Sequence, residues 1–115
     1  AYLAFQSVLH TVRDHLPMTE AIHFGEQLPL LIRGFYFDPW EPSSTPAQLQ
    51  TKNDFVYAVS SRMERHDQNG DESEAVARAV FRLLDRKADE GEIIDLQPLM
   101  PPVVLELWPL GLRAA

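Results

Sequence analysis

Three arginines lie four residues apart in the second half of the chain: Arg78, Arg82 and Arg86. On an α-helix this spacing places their guanidinium groups along one face, where they can bind a carboxylate or a phosphate through paired hydrogen bonds. Glu74 lies one turn before Arg78, which is also the pattern of a solvated helix face with an intrahelical ion pair. The row therefore predicts a site for a small anionic molecule, with an ordinary solvent-exposed face as the alternative.

A cluster of aromatic residues is the second candidate site. Phe35, Tyr36, Phe37 and Trp40 follow an apolar run and lead into a proline-rich segment. Exposed aromatic side chains beside a loop are typical of protein interfaces, whereas buried ones would close the end of a helical bundle. We therefore treat Phe35, Tyr36 and Trp40 as candidate partner-binding residues and keep the packing role as the alternative.

The other polar clusters give weaker signals for chemistry. The turn that begins at Asp67 resembles an EF-hand calcium loop, but its twelfth position is Arg78, a cation that cannot bind calcium. The histidines are scattered without a well-placed carboxylate (His10, His15, His23 and His66). The chain also has no cysteine and no Gly-x-Ser-x-Gly motif. We therefore predict no catalytic residue, no metal site and no cofactor.

Composition excludes several kinds of partner. The net charge of −7 and the pI near 4.9 argue against general nucleic-acid binding, which needs clustered basic residues. No apolar run approaches the roughly 18 residues needed to cross a bilayer. Among 115 residues, 45% are hydrophobic and 23% are charged, which predicts one soluble globular domain. The absence of cysteine fits a reducing compartment, so we expect a cytoplasmic protein.

Helical periodicity predicts the elements that position these residues. The first helix spans Leu3 to about Leu16, with Phe5 and four further apolar residues on one face and a polar face opposite that carries Gln6, His10, Arg13 and Asp14. The later helices are predicted at 18–27, 29–36, 51–65 with a Thr51–Asp54 capping box, 73–88 with Asp71 or Ser73 as its N-cap, 91–99 and 101–108. The helix from Pro29 is apolar nearly all round, so we expect it to be buried or to form an interface. We also expect a charge at Leu31 to cost several kcal/mol.

The chain also repeats itself at an offset of 72 residues. This offset pairs Pro29 with Pro101 and Val8 with Val80. It predicts a single all-α domain of about seven helices, built from repeat one (about 3–40), a linker (37–50), an extra helix (51–66) and repeat two (about 73–109). We expect the two proline-led helices to pack together across a pseudo-twofold axis. Because the extra helix has no counterpart before the first repeat, we also expect a leading helix ahead of Ala1.

The chain resembles a bacterial family known as domain of unknown function 2267. The resemblance covers nearly the whole chain and depends on the runs Ser7–Pro17 and Gln27–Tyr36, on Trp40, and on the closing Glu106–Pro109. It implies a small helical bacterial protein with a further segment before Ala1. It implies no activity, cofactor or catalytic residue.

These observations favour a non-enzymatic helical interaction module. We expect it to bind a protein partner, or a second copy of itself, through the aromatic cluster or an apolar groove between the repeats. The alternative is a protein that binds or transforms a small anionic molecule on the Arg78, Arg82 and Arg86 face. Neither interpretation involves nucleic acid or a membrane.

Overall fold

A computed structural model describes residues 2–38, 40, 51–63, 70–87 and 97–109, and within these ranges the protein is all-helical. The helices are α1 (Tyr2–His15), α2 (Met18–Glu26), α3 (Leu30–Phe37), α4 (Lys52–Arg62), α5 (Asp71–Lys87) and α6 (Pro102–Leu107), with a 3₁₀ turn at Gln97–Leu99. The helix predicted at 91–99 falls largely outside the described residues, as do residues 67–69 of the calcium-like turn. The all-α prediction is confirmed, and the count of seven helices stays a prediction.

One hydrophobic core joins the helices. It contains most of the apolar residues predicted to face inward from α1, α2, α4 and α5, including Val8, Phe24, Phe55 and Phe81 at 0% exposure. Aromatic rings link the elements within this core: Phe81 stacks on Trp108 with ring centroids 5.2 Å apart, and Phe24 stacks on Tyr36 at 5.7 Å. The spacing of apolar residues in the sequence therefore predicted most of the core.

Prolines and one capping box set the helix starts. Pro29 is the N-cap residue of α3, and Pro101 is the N-cap residue of α6. Pro29 was expected to be the first helical residue of α3 but lies one position before it. α4 begins with the predicted capping box, in which Asp54 N–H donates to the Thr51 hydroxyl and Thr51 N–H donates to the Asp54 carboxylate. Neither predicted cap of α5 is correct: Asp71 is its first helical residue and Ser73 is buried inside it.

The polar face of α1 lies against the end of α3. Gln6, His10 and Arg13 reach the C-terminal end of α3, where Gln6 Nε2 donates to Asp38 O (3.3 Å), His10 Nε2 to Phe35 O (2.8 Å) and Arg13 Nη1 to Tyr36 O (2.9 Å). The last carbonyls of a helix have no intrahelical partner and carry the negative end of its dipole, so donors and cations stabilise them. α1 thus holds α3 in place by capping it.

Arg13 is the centre of this contact, with a side chain only 5% exposed. Its Nε lies 2.8 Å from Asp14 Oδ1, and its guanidinium carbon lies 5.7 Å from the centroid of the Trp40 ring. Asp14 also accepts from Arg62 Nη2 at 2.8 Å, which extends the network from α1 to α4. A buried cation is tolerated only when it is paired and hydrogen-bonded, and here it is both.

The proline-led helices differ from prediction in their neighbours. α3 packs on α1 and α2, whereas α6 packs on α5 and α4, so the principal contacts of α3 and α6 are not with each other. Several pairs at the offset of 72 residues are buried in both members: Val8 and Val80, Val12 and Leu84, Ile32 and Val104, and Tyr36 and Trp108. Because residues 88–96 lie outside the described ranges, the complete repeat stays a prediction.

No helix in the part of the chain that the structure describes is both long and apolar enough to cross a membrane.

Two glycines offer a matched test of the packing around α3. A Cβ on Gly25 would lie 2.6 Å from a Tyr36 ring carbon and would also overlap the Phe37 ring, whereas a Cβ on Gly34 would meet nothing within 4 Å. We expect Gly25→Ala to lower the free energy of unfolding by about 1–3 kcal/mol through overpacking. Gly34→Ala should raise it by about 0.5–1 kcal/mol because alanine favours the helix. Urea unfolding followed by circular dichroism measures both; equal effects would contradict this packing.

His10 predicts a dependence of stability on pH. Burial and the nearby Arg13 and Arg62 charges lower the pKa of His10 below its usual 6.5, against opposing effects of the Phe35 carbonyl and Asp14. Protonation therefore favours the unfolded chain, so this contribution to stability is complete above pH 6.5 and is lost as the pH falls through the folded-state pKa. Urea unfolding of wild type and His10→Gln at roughly pH 7.5 and 5.5 measures it. We expect the free energy of unfolding of His10→Gln to fall less at low pH than that of wild type does. Identical decreases in the two proteins would exclude His10 as the cause.

Candidate functional site

Two leucines of α3 lie on the surface side by side. Leu30 is 76% exposed and Leu31 is 85% exposed, whereas Ile32 next to them is 9% exposed. Of the two roles expected for this helix, complete burial is therefore excluded, and the prediction that a charge at Leu31 would cost several kcal/mol is wrong. The physical reason is that α3 has one covered face, which carries Ile32 and Tyr36 onto α1 and α2. The opposite face is just as apolar but has no helix over it among the described residues.

The exposed leucines form one wall of an apolar groove. The groove has a volume of about 710 Å³ and lies between three helices. α1 contributes Phe5, α3 contributes Leu30, Leu31 and Phe35, and α5 contributes Leu83 and Lys87. A smaller depression of about 370 Å³ shares Leu31 and Phe35 and extends the surface toward Gln6 and Asp38. Apolar clefts of this size are typical binding sites for ligands or for peptide segments.

The three aromatic candidates divide between this groove and the core. Phe35 lines the groove and packs edge-to-face on Phe5, with ring centroids 5.6 Å apart. Tyr36 is completely buried, and its hydroxyl donates to Ala21 O at 2.6 Å. Burial also raises the pKa of Tyr36, so this hydroxyl stays a donor. Trp40 is partly buried beside Phe37 and Arg13, which places it away from the groove-lining residues. Only Phe35 of the three belongs to the groove.

The arginine row lies on the outer face of α5, as its spacing predicts. Arg78 is engaged by Glu74, with both Nε and Nη2 at 3.0 Å from Oε2, and Lys52 Nζ lies 3.2 Å from Glu74 Oε1. These cations lower the pKa of the Glu74 carboxyl, the hydrogen bond from Arg78 being the largest cause. Arg82 and Arg86 are exposed and form no ion pair with the residues that the structure describes. The anion site stays a prediction, with one of its three arginines already paired.

Positive charge marks the α5 side of the groove. Lys87 is the one charged residue among those that line it, four residues beyond Leu83 on the same helix. Arg86 is its immediate neighbour in sequence and Arg82 lies one turn earlier. The groove is therefore apolar along α1 and α3 and has one basic side chain, Lys87, on its α5 side, in a chain whose net charge is −7.

Sequence reasoning proposed a groove between the repeats but did not identify the residues that line it. The signal was present in α3, which is apolar on all sides yet only eight residues long. Such a helix is either buried completely or part of an interface, and its sequence does not distinguish the two. Leu83 gave no signal, because a single leucine on a polar helix face is common at protein surfaces.

Comparison with known proteins gives one informative result. A family model described as "Uncharacterized conserved protein (DUF2267)" matches residues 1–107, which confirms the resemblance inferred from the sequence. No curated protein matches the chain.

Adjacent residues on α3 test the placement of the groove. We expect Leu31→Gln to change the free energy of unfolding by less than about 0.5 kcal/mol, because the side chain is already in water. Ile32→Gln should lower it by about 2–4 kcal/mol, because it removes core contacts and buries an amide. Urea unfolding of the two variants gives the comparison. A large loss in Leu31→Gln would mean that α3 is covered on both faces.

Proposed function

The chain belongs to the DUF2267 family of uncharacterised conserved proteins, whose description names no activity, and we propose that it is a non-enzymatic interaction module that binds a helical segment of a protein partner in the apolar groove. The observation that carries the proposal is the exposure of Leu30 and Leu31 on the wall of that groove. A contiguous exposed apolar surface of this kind marks an interaction site, whereas exposed apolar residues that are scattered singly do not.

The energetics support a binding role for these leucines. Covering a leucine side chain stabilises a complex by about 1.5–3 kcal/mol. Leu30 and Leu31 lie beside Phe35 and Leu83, which add further partly exposed apolar area to the groove. Association itself costs at least about 4 kcal/mol, so the two leucines need these neighbours to bind a partner with useful affinity. A partner that covers the whole groove is therefore favoured over one that touches α3 alone.

The geometry of the groove favours a helix as the bound element. Its walls come from three helices, α1, α3 and α5, and a helix is the element that packs against helical ridges in the other contacts of this fold. Amphipathic helices bind such grooves through apolar side chains three or four residues apart. The partner segment would thus bury one apolar face and keep its polar face in water.

The alternative function, binding of a small anionic molecule by Arg78, Arg82 and Arg86, has less support. The Glu74 carboxylate already occupies Arg78. Without Arg78, two exposed arginines one turn apart would have to bind the anion in full contact with water, where each ion pair contributes little. Inorganic phosphate or nucleotides that raise the melting temperature in wild type but not in Arg82→Gln/Arg86→Gln would favour this alternative.

Site-specific cross-linking tests the interaction proposal. A photoreactive residue at Leu31 should capture a partner in cells of the native organism, whereas one at Tyr57 should not. Tyr57 is a suitable control because it is 75% exposed on α4 and lies outside the groove lining. Binding of the captured protein, once purified, should weaken at least tenfold in Leu31→Glu, because a carboxylate replaces an apolar anchor.

The matched variant Tyr57→Glu should bind the captured protein as wild type does. Equal capture at the two positions, or equal affinities of the two variants, would contradict a binding role for the groove.

A further inference from the structure

The exposed residues of α3 and its C-cap all lie on one side of the helix. They are Leu30, Leu31, Gly34 and Asp38. Residues four apart follow one another along a helix face, so Leu30, Gly34 and Asp38 form a row, with Leu31 beside it. The exposed side of α3 is therefore an apolar strip with a glycine at its middle and a carboxylate at its end.

One cation and one carboxylate lie at different places on the surface around this strip. Lys87 lines the groove together with Leu30 at the start of α3, whereas Asp38 lines the smaller depression at the end of α3. The two depressions share Leu31 and Phe35, so the surface is continuous. Lys87 and Asp38 are both exposed, and neither forms an ion pair with another residue that the structure describes.

A twofold axis at Gly34 makes this surface complementary to itself. When two α3 helices lie antiparallel about that axis, residue 38 of one chain lies opposite residue 30 of the other, because both are four residues from Gly34. Asp38 of each copy then reaches the groove that Lys87 lines beside Leu30. Gly34 has no side chain and faces open space, where even an added Cβ would have no neighbour within 4 Å, so a second helix can approach closely there.

The apolar residues favour the same arrangement. Leu30 and Leu31 of both copies are covered at once, so a single association removes four leucine side chains from water. The loss of translational and rotational freedom is incurred once, whichever partner binds. α3 needs no polar side in this role, because Ile32 and Tyr36 already bury its other face within its own chain. A second α3 therefore accounts for a helix that is apolar on every side.

We propose that the groove binds α3 of a second copy of this chain, in a twofold-symmetric dimer with antiparallel α3 helices. Leu30 and Leu31 supply the apolar contact, and Lys87 of each copy pairs with Asp38 of the other. This inference rests on the proposed function and names the partner, since the helical segment in the groove belongs to an identical chain. Dimerisation adds to apparent stability, so the unfolding of single chains is measured at protein concentrations where they are monomeric.

Reversal of single charges, followed by sedimentation, tests the pairing. Lys87→Glu places a carboxylate opposite Asp38 of the other copy, and Asp38→Lys places an amine opposite Lys87, each at two symmetric positions. We expect either variant alone to dimerise about tenfold more weakly than wild type. An equimolar mixture of the two variants should recover the wild-type affinity, because both pairs in the mixed dimer again have opposite charges. A mixture that associates no more tightly than its components would overturn the inference.

Arg82→Glu is the matched charge control. It changes the net charge by the same amount on the same helix, but Arg82 lies outside the groove lining, so dimerisation should stay within about twofold of wild type. Leu31→Asp should weaken dimerisation by about tenfold or more, because it brings two carboxylates into the apolar contact. Equal weakening by Arg82→Glu and Lys87→Glu would show that net charge alone controls association. A dimer that persists in Leu31→Asp would show that the chains associate elsewhere, and either result would overturn the inference.

Single cysteines test the position of the axis, because the chain itself contains none. A residue on a twofold axis lies opposite its own copy, so Gly34→Cys should form a disulfide-linked dimer under mild oxidation. Tyr57→Cys should form one much more slowly, because Tyr57 is exposed on α4 outside the groove lining. Equal rates at the two positions would overturn the antiparallel arrangement.

Other occupants of the groove give different outcomes, each of which would overturn the inference. A wild-type chain that sediments as a monomer at about 1 mM has no useful affinity for itself. If the photoreactive residue at Leu31 then captures a different protein, the proposed function stands without the dimer, and if it captures nothing, both proposals fail. A polypeptide extended ahead of residue 1 that stays monomeric, when residues 1–115 dimerise, would show that the groove is filled from within the longer chain.

Discussion

A buried arginine determines how this fold is assembled. Arg13 carries its charge into the interior, where removal from water is costly unless every donor is satisfied. The Arg13 guanidinium group donates hydrogen bonds to the Tyr36 carbonyl and the Asp14 carboxylate and lies over the Trp40 ring. Because the carbonyl belongs to the C-terminal end of α3 and Asp14 also binds Arg62, one side chain ties α1 to α3 and, through its neighbour, to α4. The position of α3, and with it the groove, depends on this network.

A polar residue of opposite charge contacts an aromatic residue near the end of α5. Asp85 is related to Arg13 by the sequence offset, and its carboxylate accepts a hydrogen bond from the Trp108 indole at 3.1 Å. Trp108 is in turn the partner of Tyr36 at that offset. In both halves a polar residue near the end of a long helix binds the aromatic residue at the end of a proline-led helix, through the backbone in one case and the side chain in the other.

The surfaces over α6 and over α3 differ in how they are covered. α4 covers α6 and its surroundings, so Val103 and Leu107 belong to the core. No such helix lies over α3 in the described residues, and Leu30 and Leu31 form the wall of a groove that Lys87 also lines. Of the functional candidates inferred from the sequence, Phe35 of the aromatic cluster lines this groove, and the arginine row lies on the same helix as its lining residues Leu83 and Lys87.

The sequence by itself determined the six α-helices of the described residues and most of their core, because the 3.6-residue spacing of apolar residues specifies a buried face wherever a helix has a polar side to contrast with it. It also specified the start of α4, since the Thr51–Asp54 capping box is a local interaction. It did not determine which side of α3 is covered, because a helix that is apolar all round has no such contrast. Nor did it place Arg13, whose burial depends on a carbonyl 23 residues away that only the packing of α3 on α1 brings within reach. Local periodicity is encoded in neighbouring residues, whereas the groove exists only where three separate helices meet.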